Sequence, residues 1–481
     1  MTTIKLDPGA ALLLDVLHGA GHAAYAVGGC VRDSLLGLDP HDWDLCTSAR
    51  PEQVMALFGE EKCIPTGLQH GTVTVKQGGR LYETTTFRTE GAYSDGRHPD
   101  AVCFVPDVRE DLARRDFTIN AMAYSAEEGL IDPFGGRDDL AAHLVRAVGE
   151  PERRFEEDAL RILRLYRFAA RFGFAIDPAT GAAARALGPH LDCVSAERIQ
   201  EELLKLLAAP RPGSYLEPAV LAVVLPELEP EKQPERFAEL CRTIDRIEPT
   251  AENVPARLAA LLCPLGEAGA RKALRKLKCS NALTDEVTAL VGGSVGSFLL
   301  GHEFELRHPA DALCLERHSH PAGRCPNSNS LFPPQAAVVA VAGHSIARPI
   351  ACGNRVPPQR TVLGETPGTP NTTLTVQAKR LLGRYELPTI KRLTALCSAR
   401  HPEQTGAFAA LRAEAEQLTA ENACCRVSQL AVNGRDLMAA GVRPGPGLRQ
   451  VLNALLEAVI TGQTPNEKDA LLAAAAQFSA S

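Results

Sequence analysis

Residues 24–48, AYAVGGCVRDSLLGLDPHDWDLCTS, carry two features that decide the fold of the first part of the chain. A short apolar run predicts a buried strand, which ends at the glycine pair Gly28 and Gly29 before a short helix. Asp42 and Asp44 follow in DWDLCTS, a run that predicts a second strand. Because side chains alternate along a strand, we expect both carboxylates on the same side.

The glycine pair and the aspartates suit opposite ends of one reaction. Glycine lets the backbone approach a ligand closely, and the amides that begin the next helix point at anions. Arg32, one turn into that helix, can add a guanidinium to a phosphate, while paired carboxylates can hold a hard divalent cation. Either motif alone is usually a plain turn or a solvated face. Their joint occurrence predicts a site for a triphosphate and its metal ions.

A third carboxylate stands in a predicted hairpin. Residues 70–88, HGTVTVKQGGRLYETTTFR, contain two β-branched runs around Gly78 and Gly79. Glu83 lies on the second run, where it can complete the metal cage or simply face solvent. The first 150 residues therefore predict helices mixed with a largely antiparallel sheet.

The pattern changes to helical periodicity near residue 150. Apolar residues recur at helical spacing through EPERRFEEDALRILRLYRFAARFG, which predicts one helix over residues 150–173. Residues 292–375 are rich in Pro, Ser, Gly, Asn and Arg without an apolar period, which predicts an irregular, flexible insert. Helical patterns resume at residue 376.

Composition describes an ordinary globular chain of 481 residues, of which 45% are hydrophobic and 23% are charged. A net charge of −7 does not indicate a generally basic nucleic-acid binder, but it is compatible with a local basic stripe. Scattered cysteines without any Cys-x-x-Cys favour reduced thiols. With no apolar run of 18 residues and no signal-type N-terminus, we expect no membrane span and a cytoplasmic location.

In order along the chain, these motifs resemble the DNA polymerase β nucleotidyltransferase superfamily. The strings AVGGCVRDSLLG, HDWDLCTS, TGLQHGTVTV, RRDFTINAMAY and EEDALRILRLYRFAARFGF are similar to those of class II tRNA nucleotidyltransferases and bacterial poly(A) polymerases. The resemblance implies an α+β fold, in which a polymerase β-like head with a mixed sheet precedes all-helical domains. The implied domains are the head (1–149), neck (150–210), body (211–291) and tRNA-binding tail (376–481), with the insert at 292–375.

The resemblance also implies the reaction. A CCA-adding tRNA nucleotidyltransferase adds C, C and A to the 3′ end of tRNA without a template, from CTP and ATP, by two-metal transfer with Mg²⁺ and release of pyrophosphate. The implied catalytic residues are Asp42, Asp44 and Glu83, the first two of which hold the metal. The implied nucleotide-binding residues are Gly28, Gly29, Arg32, Arg115, Asp116, Asp158, Arg161, Arg164 and Arg167.

The segment EEDALR can select bases by hydrogen bonding. In one continuous helix Asp158 and Arg161 share a face, and Glu157 can brace the guanidinium. Cytosine and adenine offer an amine beside a ring acceptor, whereas uracil and guanine reverse both groups. Each mismatch leaves buried polar groups unpaired at about 1–3 kcal/mol, so two predict on the order of 10²- to 10⁴-fold discrimination. Ordinary intrahelical ion pairs are the alternative from spacing alone, and the resemblance assigns base reading.

Further arginines form a basic stripe, which is either a solvated face or a phosphate-binding surface. The resemblance supports phosphate contact for Arg164 and Arg167, and it implies that Arg115 contacts phosphate and Asp116 the ribose. Residues 88–98, RTEGAYSDGRH with its glycines, resemble the loop that shifts these enzymes from C to A addition. The full stripe comprises Arg161, Arg164, Arg167 and Arg171.

Two alternatives stay open. An enzyme that adds only the terminal A, or a poly(A) polymerase, shares these motifs, although EKCIPTGLQHGTVTV resembles the CCA-adding branch. A catalytically inactive RNA-binding protein is the alternative from another class. The complete set of Asp42, Asp44 and Glu83 argues against it.

Overall fold

A computed structural model describes residues 3–91, 102–295 and 373–478. The strands of the head are β1 (Ala24–Val27), β2 (Leu45–Thr47), β3 (Cys63–Gly67), β4 (Thr72–Gln77), β5 (Arg80–Thr86), β6 (Arg88–Glu90), β7 (Val102–Phe104), β8 (Ala123–Ser125) and β9 (Gly129–Ile131). Its helices are α1 (Pro8–Gly19), α2 (Gly29–Leu35), α3 (Pro51–Phe58), α4 (Val108–Ala113) and α5 (Gly136–Ala141).

The head is built on a seven-stranded mixed sheet in the order β3-β4-β5-β2-β1-β8-β9. Strands β2 and β5 run parallel, and the other neighbouring pairs are antiparallel, as the sequence predicted. The β4–β5 hairpin turns at Gly78 and Gly79, whose φ angles of 58° and 79° lie in the left-handed region that glycine adopts without strain. Strands β6 and β7 form a separate two-stranded ribbon.

The region after the head is mostly helical. It contains α6 (Pro151–Glu157), α7 (Leu160–Phe172), α8 (Pro178–Ala186), α9 (Ala196–Leu207), α10 (Pro218–Val224), α11 (Pro234–Arg246), α12 (Val254–Leu262), α13 (Gly266–Lys276) and α14 (Asn281–Val295). The prediction of an all-helical neck was wrong at one place. Strand β11 (Ala175–Ile176) pairs in parallel with β10 (Leu144–Val145) of the head, because Gly173 ends α7 and Pro178 begins the next helix, which leaves a short non-helical segment between them.

The single helix predicted over residues 150–173 is also broken in the structure. Helix α6 ends at Glu157, and Asp158 has an extended backbone with φ −149° and ψ 103°. The Asp158 carboxylate accepts a hydrogen bond from the Leu160 amide at 3.1 Å, which satisfies a donor in the first turn of α7. It also binds Arg198 of α9, so a distant helix holds the break in place.

A fully buried arginine joins the neck to the body. Arg257 of α12 donates from Nη1 to the Leu207 carbonyl at 2.7 Å, at the end of α9. It also donates from Nη2 to the Ile247 carbonyl at 2.6 Å, just beyond α11. These carbonyls lack partners within their own helices, so the guanidinium satisfies two helix ends at once.

The C-terminal helices are α15 (Thr373–Arg384), α16 (Leu387–Arg400), α17 (Thr405–Ala420), α18 (Gly434–Ala439), α19 (Pro446–Ile460) and α20 (Lys468–Phe478). Apolar residues of α15 to α17 join the large core that also contains the body helices, whereas residues 430–475 have a small core of their own. Within the described residues no helix is both long and apolar enough to cross a bilayer, and the cysteines are free.

The insert predicted over residues 292–375 includes helical residues at both ends, so its predicted bounds were wrong. Residues 292–295 continue α14, where Nη1 of Arg400 donates to the Ser294 carbonyl at 2.9 Å. Residues 373–375 begin α15, where the Thr375 hydroxyl donates to Oε1 of Glu414 at 2.7 Å. The remainder of the predicted insert, residues 296–372, lies outside the described residues. Most of the predicted loop 88–98 does so as well, since the description stops at residue 91 and resumes at 102.

Candidate active site

The glycine turn lies between β1 and α2, where its backbone is held by the neighbouring strand. The Gly28 amide donates to the Met122 carbonyl at 3.0 Å, and Gly28 has φ 75° and ψ −120°. A Cβ on Gly28 would lie 2.8 Å from Nη1 of Arg115, whereas a Cβ on Gly29 would have Arg32 at 3.6 Å as its nearest neighbour. The first glycine is therefore required by both backbone and packing, and the second is not.

Arg32 is buried in the wall behind this turn. Its Nε donates to Oδ1 of Asp33 at 2.7 Å, and its Nη1 donates to Oδ1 of Asn120. The guanidinium also lies 5.2 Å and 4.8 Å from the ring centres of Phe168 and Phe172. Arg32 thus fixes α2 against α7 while it lines the cleft.

Asp42 and Asp44 flank the buried Trp43, and both are exposed to solvent. They precede β2 instead of lying within it, although the Asp44 carbonyl still accepts from the Val27 amide at 2.9 Å. This exposed–buried–exposed order is the alternation expected from the sequence. Glu83 stands on the adjacent parallel strand, beside the Thr84 that pairs with Leu45.

The surroundings raise the pKa of Asp44. Desolvation by the surrounding protein is the largest cause, although the side chain keeps contact with solvent, and the negative charges of Glu83 and Asp42 add to it. Arg115 acts in the opposite direction. Asp42 and Glu83 are therefore both close enough to Asp44 to act on it electrostatically.

The carboxylates do not form a closed metal cage. Among the residues that the structure describes, no three His, Cys, Asp or Glu side chains are grouped closely enough to hold an ion. Asp42 and Asp44 are two residues apart in an extended segment, which separates their Cα atoms by roughly 7 Å, and Glu83 belongs to another strand. The oxygen donors and the crowding of negative charge nevertheless fit a hard divalent cation.

Asp116 is buried at the back of the cleft. Its Oδ1 accepts from the Asn120 side chain at 3.0 Å, and its Oδ2 accepts from Nε and Nη2 of Arg164 at 2.9 and 2.6 Å. Burial alone would raise the pKa of Asp116, but the charge of Arg164 and the hydrogen bonds outweigh it and hold the pKa far below its usual value. Asp116 is therefore ionised and fixed in orientation.

Arg115 combines a fixed position with unused donor capacity. Its Nη2 donates to Oδ2 of Asp111 at 3.3 Å, and its Nη1 lies against Gly28. Its Nε is buried without a hydrogen-bond partner. A buried N–H of this kind is costly unless a ligand or water accepts from it, so Arg115 is prepared to bind an anion.

Asp158 lies at the break between α6 and α7 and Arg161 lies in the first turn of α7, so the predicted shared face of one continuous helix is wrong. The predicted brace is present, because Nη1 of Arg161 donates to Oε2 of Glu157 at 2.7 Å. Arg161 also donates to the carbonyls of Arg154 and Arg114, each at 3.1 Å. Both Asp158 and Arg161 line the cleft.

The other arginines of α7 are paired with acidic side chains, and so the stripe is not a plain solvated face. Nε of Arg167 lies 2.6 Å from Oε2 of the buried Glu202, although their alignment is not that of a hydrogen bond. Arg171 pairs with Asp33 at 3.1 Å. Arg167 also lies over the ring of Phe168, with its guanidinium 4.0 Å from the ring centre.

One cavity of about 440 Å³ collects most of the predicted residues. Asp42 and Glu83 do not line it, and they lie beside Asp44 at its edge. A larger cavity of about 1050 Å³ between α15 and α19 contains none of the predicted residues. The predicted residues that line the smaller cavity are Gly28, Gly29, Arg32, Asp44, Arg115, Asp116, Asp158, Arg161, Arg164 and Arg167.

Comparison with known proteins shows the family of the chain. The CCA-adding enzyme of Lactiplantibacillus plantarum is 33% identical over 463 residues, which cover 96% of this chain and 93% of that enzyme. The chain belongs to the family of CCA-adding enzymes. The CCA-adding enzyme of Levilactobacillus brevis is likewise 33% identical, with 96% of each chain covered.

Other CCA-adding enzymes agree in fold and domain content. The Bacillus stearothermophilus CCA-adding enzyme, solved in complex with CTP, superposes with a TM-score of 0.69 at 30% identity and covers 98% of both chains. The Poly A polymerase head domain matches residues 24–146, the probable RNA and SrmB-binding site of polymerase A matches 173–231, and the putative tRNA nucleotidyltransferase domain 2 matches 379–475. The α+β head followed by a mostly helical region is the fold of the CCA-adding enzymes, which as nucleotidyltransferases depend on divalent metal.

The cleft of this CCA-adding enzyme family member also contains residues that the sequence analysis did not select. Arg198 binds Asp158, and Glu202 lies against Arg167 and 3.9 Å from Arg164. Arg198 and Glu202 are four residues apart, so they share one face of α9. That spacing was visible in ERIQEELLKLL, but only the fold reveals which side chains they meet. The other residues missed are Asp111 and Asn120.

Proposed function

We propose that this chain adds C, C and A to the 3′ end of tRNA, with CTP and ATP as substrates and Mg²⁺ as the cation. The observation that carries the proposal is that the glycine turn, Asp44 and the pair Asp158 and Arg161 all line one cleft. The family membership supports it, as do relatives solved with CTP, with ATP and with tRNA.

The triphosphate would lie between the glycine turn and the arginines. The Gly28 backbone leaves room for close approach, and Gly29, where α2 begins, also lines the cleft. Arg115 offers a buried Nε without a partner. These groups favour an anion in a cavity whose lining carries more arginines than acidic residues.

Asp42 and Asp44 would hold Mg²⁺, with Glu83 on the neighbouring strand. Their oxygens are hard donors, and the pKa of Asp44 is raised by desolvation and by the negative charges of Glu83 and Asp42, which a cation would offset. When bound, Mg²⁺ supplies the charge that activates the attacking 3′-hydroxyl and offsets that of the leaving pyrophosphate. The buried Trp43 anchors the segment, and the two aspartates that flank it in the chain stay exposed.

Asp158 and Arg161 would read the base, and each retains hydrogen-bonding capacity for it. Arg198 donates to both oxygens of Asp158, at 3.3 and 2.8 Å, and a carboxylate has about four acceptor positions. Arg161 makes three hydrogen bonds of the five that a guanidinium can donate. Asp158 can therefore accept from an exocyclic amine while Arg161 donates to a ring nitrogen, which suits cytosine and adenine.

Incubation with a tRNA transcript that ends before CCA tests the proposal. CTP, ATP, UTP and GTP are supplied singly with Mg²⁺, CTP and ATP are also supplied together, and products are resolved by length. We expect two CMP residues from CTP alone, and AMP once the two C residues are in place. Incorporation of AMP alone, with none of CMP, would instead identify an A-adding enzyme or a poly(A) polymerase.

A matched variant separates catalysis from RNA binding. Asp42→Asn keeps the size of the side chain but removes the charge, so it should abolish incorporation with near-normal tRNA binding. If the unmodified chain binds tRNA but incorporates no nucleotide with Mg²⁺, the inactive RNA-binding alternative replaces the proposal. We also propose that the chain acts in the cytoplasm.

A further inference from the structure

A completely buried carboxylate, that of Asp111, lies within α4 behind the cleft. Asp111 is 0% exposed, and Oδ1 accepts from Nε and Nη2 of Arg114 at 3.0 and 2.9 Å. Its other oxygen, Oδ2, accepts from Nη2 of Arg115 at 3.3 Å. The Arg88 amide, which begins the β6–β7 ribbon, donates to Oδ1 at 3.3 Å. Four donors from three residues thus surround one charge.

Asp111 is not needed to begin its own helix. Asp107 precedes α4 and already accepts from the Arg109 amide at 2.9 Å, so another carboxylate caps that end. Asp111 lies one turn further on, inside the protein, and its hydrogen bonds come from Arg88, Arg114 and Arg115, none of which belongs to the helix. Its burial would be unfavourable without them, since an unpaired buried charge is strongly destabilising.

The partners of Asp111 lead to the nucleotide site by two routes. Arg115 reaches the cleft directly, where its Nη1 lies against the Gly28 backbone and its Nε is unpartnered. Arg114 reaches it through its backbone, because its carbonyl accepts from Nη2 of Arg161 at 3.1 Å. The buried carboxylate therefore holds the segment that presents one arginine to the glycine turn and receives another from α7.

We propose that Asp111 is a positioning residue for nucleotide binding, which acts through Arg115. This inference rests on the proposed function, because it assumes that Arg115 binds the phosphates of CTP or ATP. A free arginine side chain must be immobilised when it binds a ligand, which costs conformational entropy. Anchoring Nη2 on Asp111 fixes the guanidinium beforehand and leaves Nε free for the phosphate.

The conservative substitution Asp111→Asn is informative because of its chemistry. Asparagine has nearly the same volume, but it has no charge and turns one acceptor into an NH₂ donor. A donor facing Arg114 or Arg115 cannot form the existing hydrogen bond. We expect Arg115 to lose its fixed orientation and the Kd for CTP to rise about tenfold, as for the loss of one charge-assisted hydrogen bond.

A double-mutant cycle distinguishes positioning from a general structural role. Kd for CTP is measured by calorimetry without tRNA for the unmodified chain, Asp111→Asn, Arg115→Ala and the double variant. If Asp111 acts through Arg115, the double variant should bind CTP as weakly as Arg115→Ala alone. Asp107→Asn, at the half-exposed N-cap of the same helix, is the control and should leave Kd unchanged.

Each outcome decides the inference. The inference would be overturned if the increase in Kd for the double variant equalled the product of the increases for Asp111→Asn and Arg115→Ala. It would also be overturned if Asp111→Asn raised Kd no more than Asp107→Asn does. If Asp111→Asn does not fold, ¹⁵N relaxation of Arg115 Nε in the unmodified chain replaces the cycle: a rigid side chain is expected, and a freely rotating one would overturn the inference. An unmodified chain that binds no CTP would overturn the proposed function as well, whereas CTP binding with a failed cycle would overturn only the role of Asp111.

Discussion

Substituting the two adjacent glycines of the turn by alanine should have opposite effects. Gly28 has φ 75° and ψ −120°, a conformation that costs an L-residue about 1–3 kcal/mol. Its new Cβ would also lie 2.8 Å from Nη1 of Arg115. Because that atom ends a flexible side chain, the collision should add little to the loss of stability but displace Arg115. Gly29→Ala should be neutral or stabilising by up to about 1 kcal/mol, since it places alanine at the start of a helix.

The chain offers a local probe for this comparison, because its one tryptophan is Trp43, buried between the two aspartates. Urea unfolding followed by Trp43 fluorescence reports the free energy of unfolding of the head. We expect Gly28→Ala to lose about 1–3 kcal/mol and to bind CTP at least about tenfold more weakly. Equal stability and equal CTP affinity of the two variants would refute the reasoning.

Three further predictions concern other parts of the cleft. Asp42→Asn should weaken the binding of Mn²⁺, followed by Trp43 fluorescence, at least about tenfold, because a ligand is lost; unchanged affinity would contradict this. The pKa of Asp116 is depressed in the folded state, so its stabilisation is present above its unfolded pKa of about 4 and is lost as the pH falls towards the folded value. Asp116→Asn should therefore lose less unfolding free energy than the unmodified chain between about pH 5 and pH 2, measured by urea titration, and an equal loss would disprove the assignment. Arg198→Gln should reduce the preference for CTP over UTP about tenfold, measured as the ratio of kcat/KM, because Asp158 loses its orienting partner; an unaltered ratio would show that Asp158 is oriented by other groups.

The features that the sequence predicted well depend on neighbours along the chain. The glycine turn, the α2 helix and the hairpin at Gly78 and Gly79 follow from local periodicity and from the conformations that glycine permits. The alternation around Trp43 is likewise a property of three consecutive residues. The order of the motifs along the chain then indicated the fold of the head, because these motifs occur together in one family of structures.

The features that it missed depend on residues far apart in the chain. The break at Asp158 is held by Arg198, forty residues later, and nothing in EEDALRILR marks it. The partners of the α7 arginines include Asp33 and Glu202, which periodicity cannot connect to them. A one-dimensional pattern reports which face of a helix is polar, but it does not report what that face meets.

The buried Arg257 has a consequence for how the protein opens. Its guanidinium completes the ends of α9 and α11 together, so neither helix end can fray without stranding a charge that the other still holds. Amide protons in the last turns of these two helices should therefore exchange with deuterium at a common rate, as members of one cooperative unit. Because α9 also carries Arg198 and Glu202, the slowest-exchanging part of the helical region would lie directly behind the surface on which nucleotides are chosen.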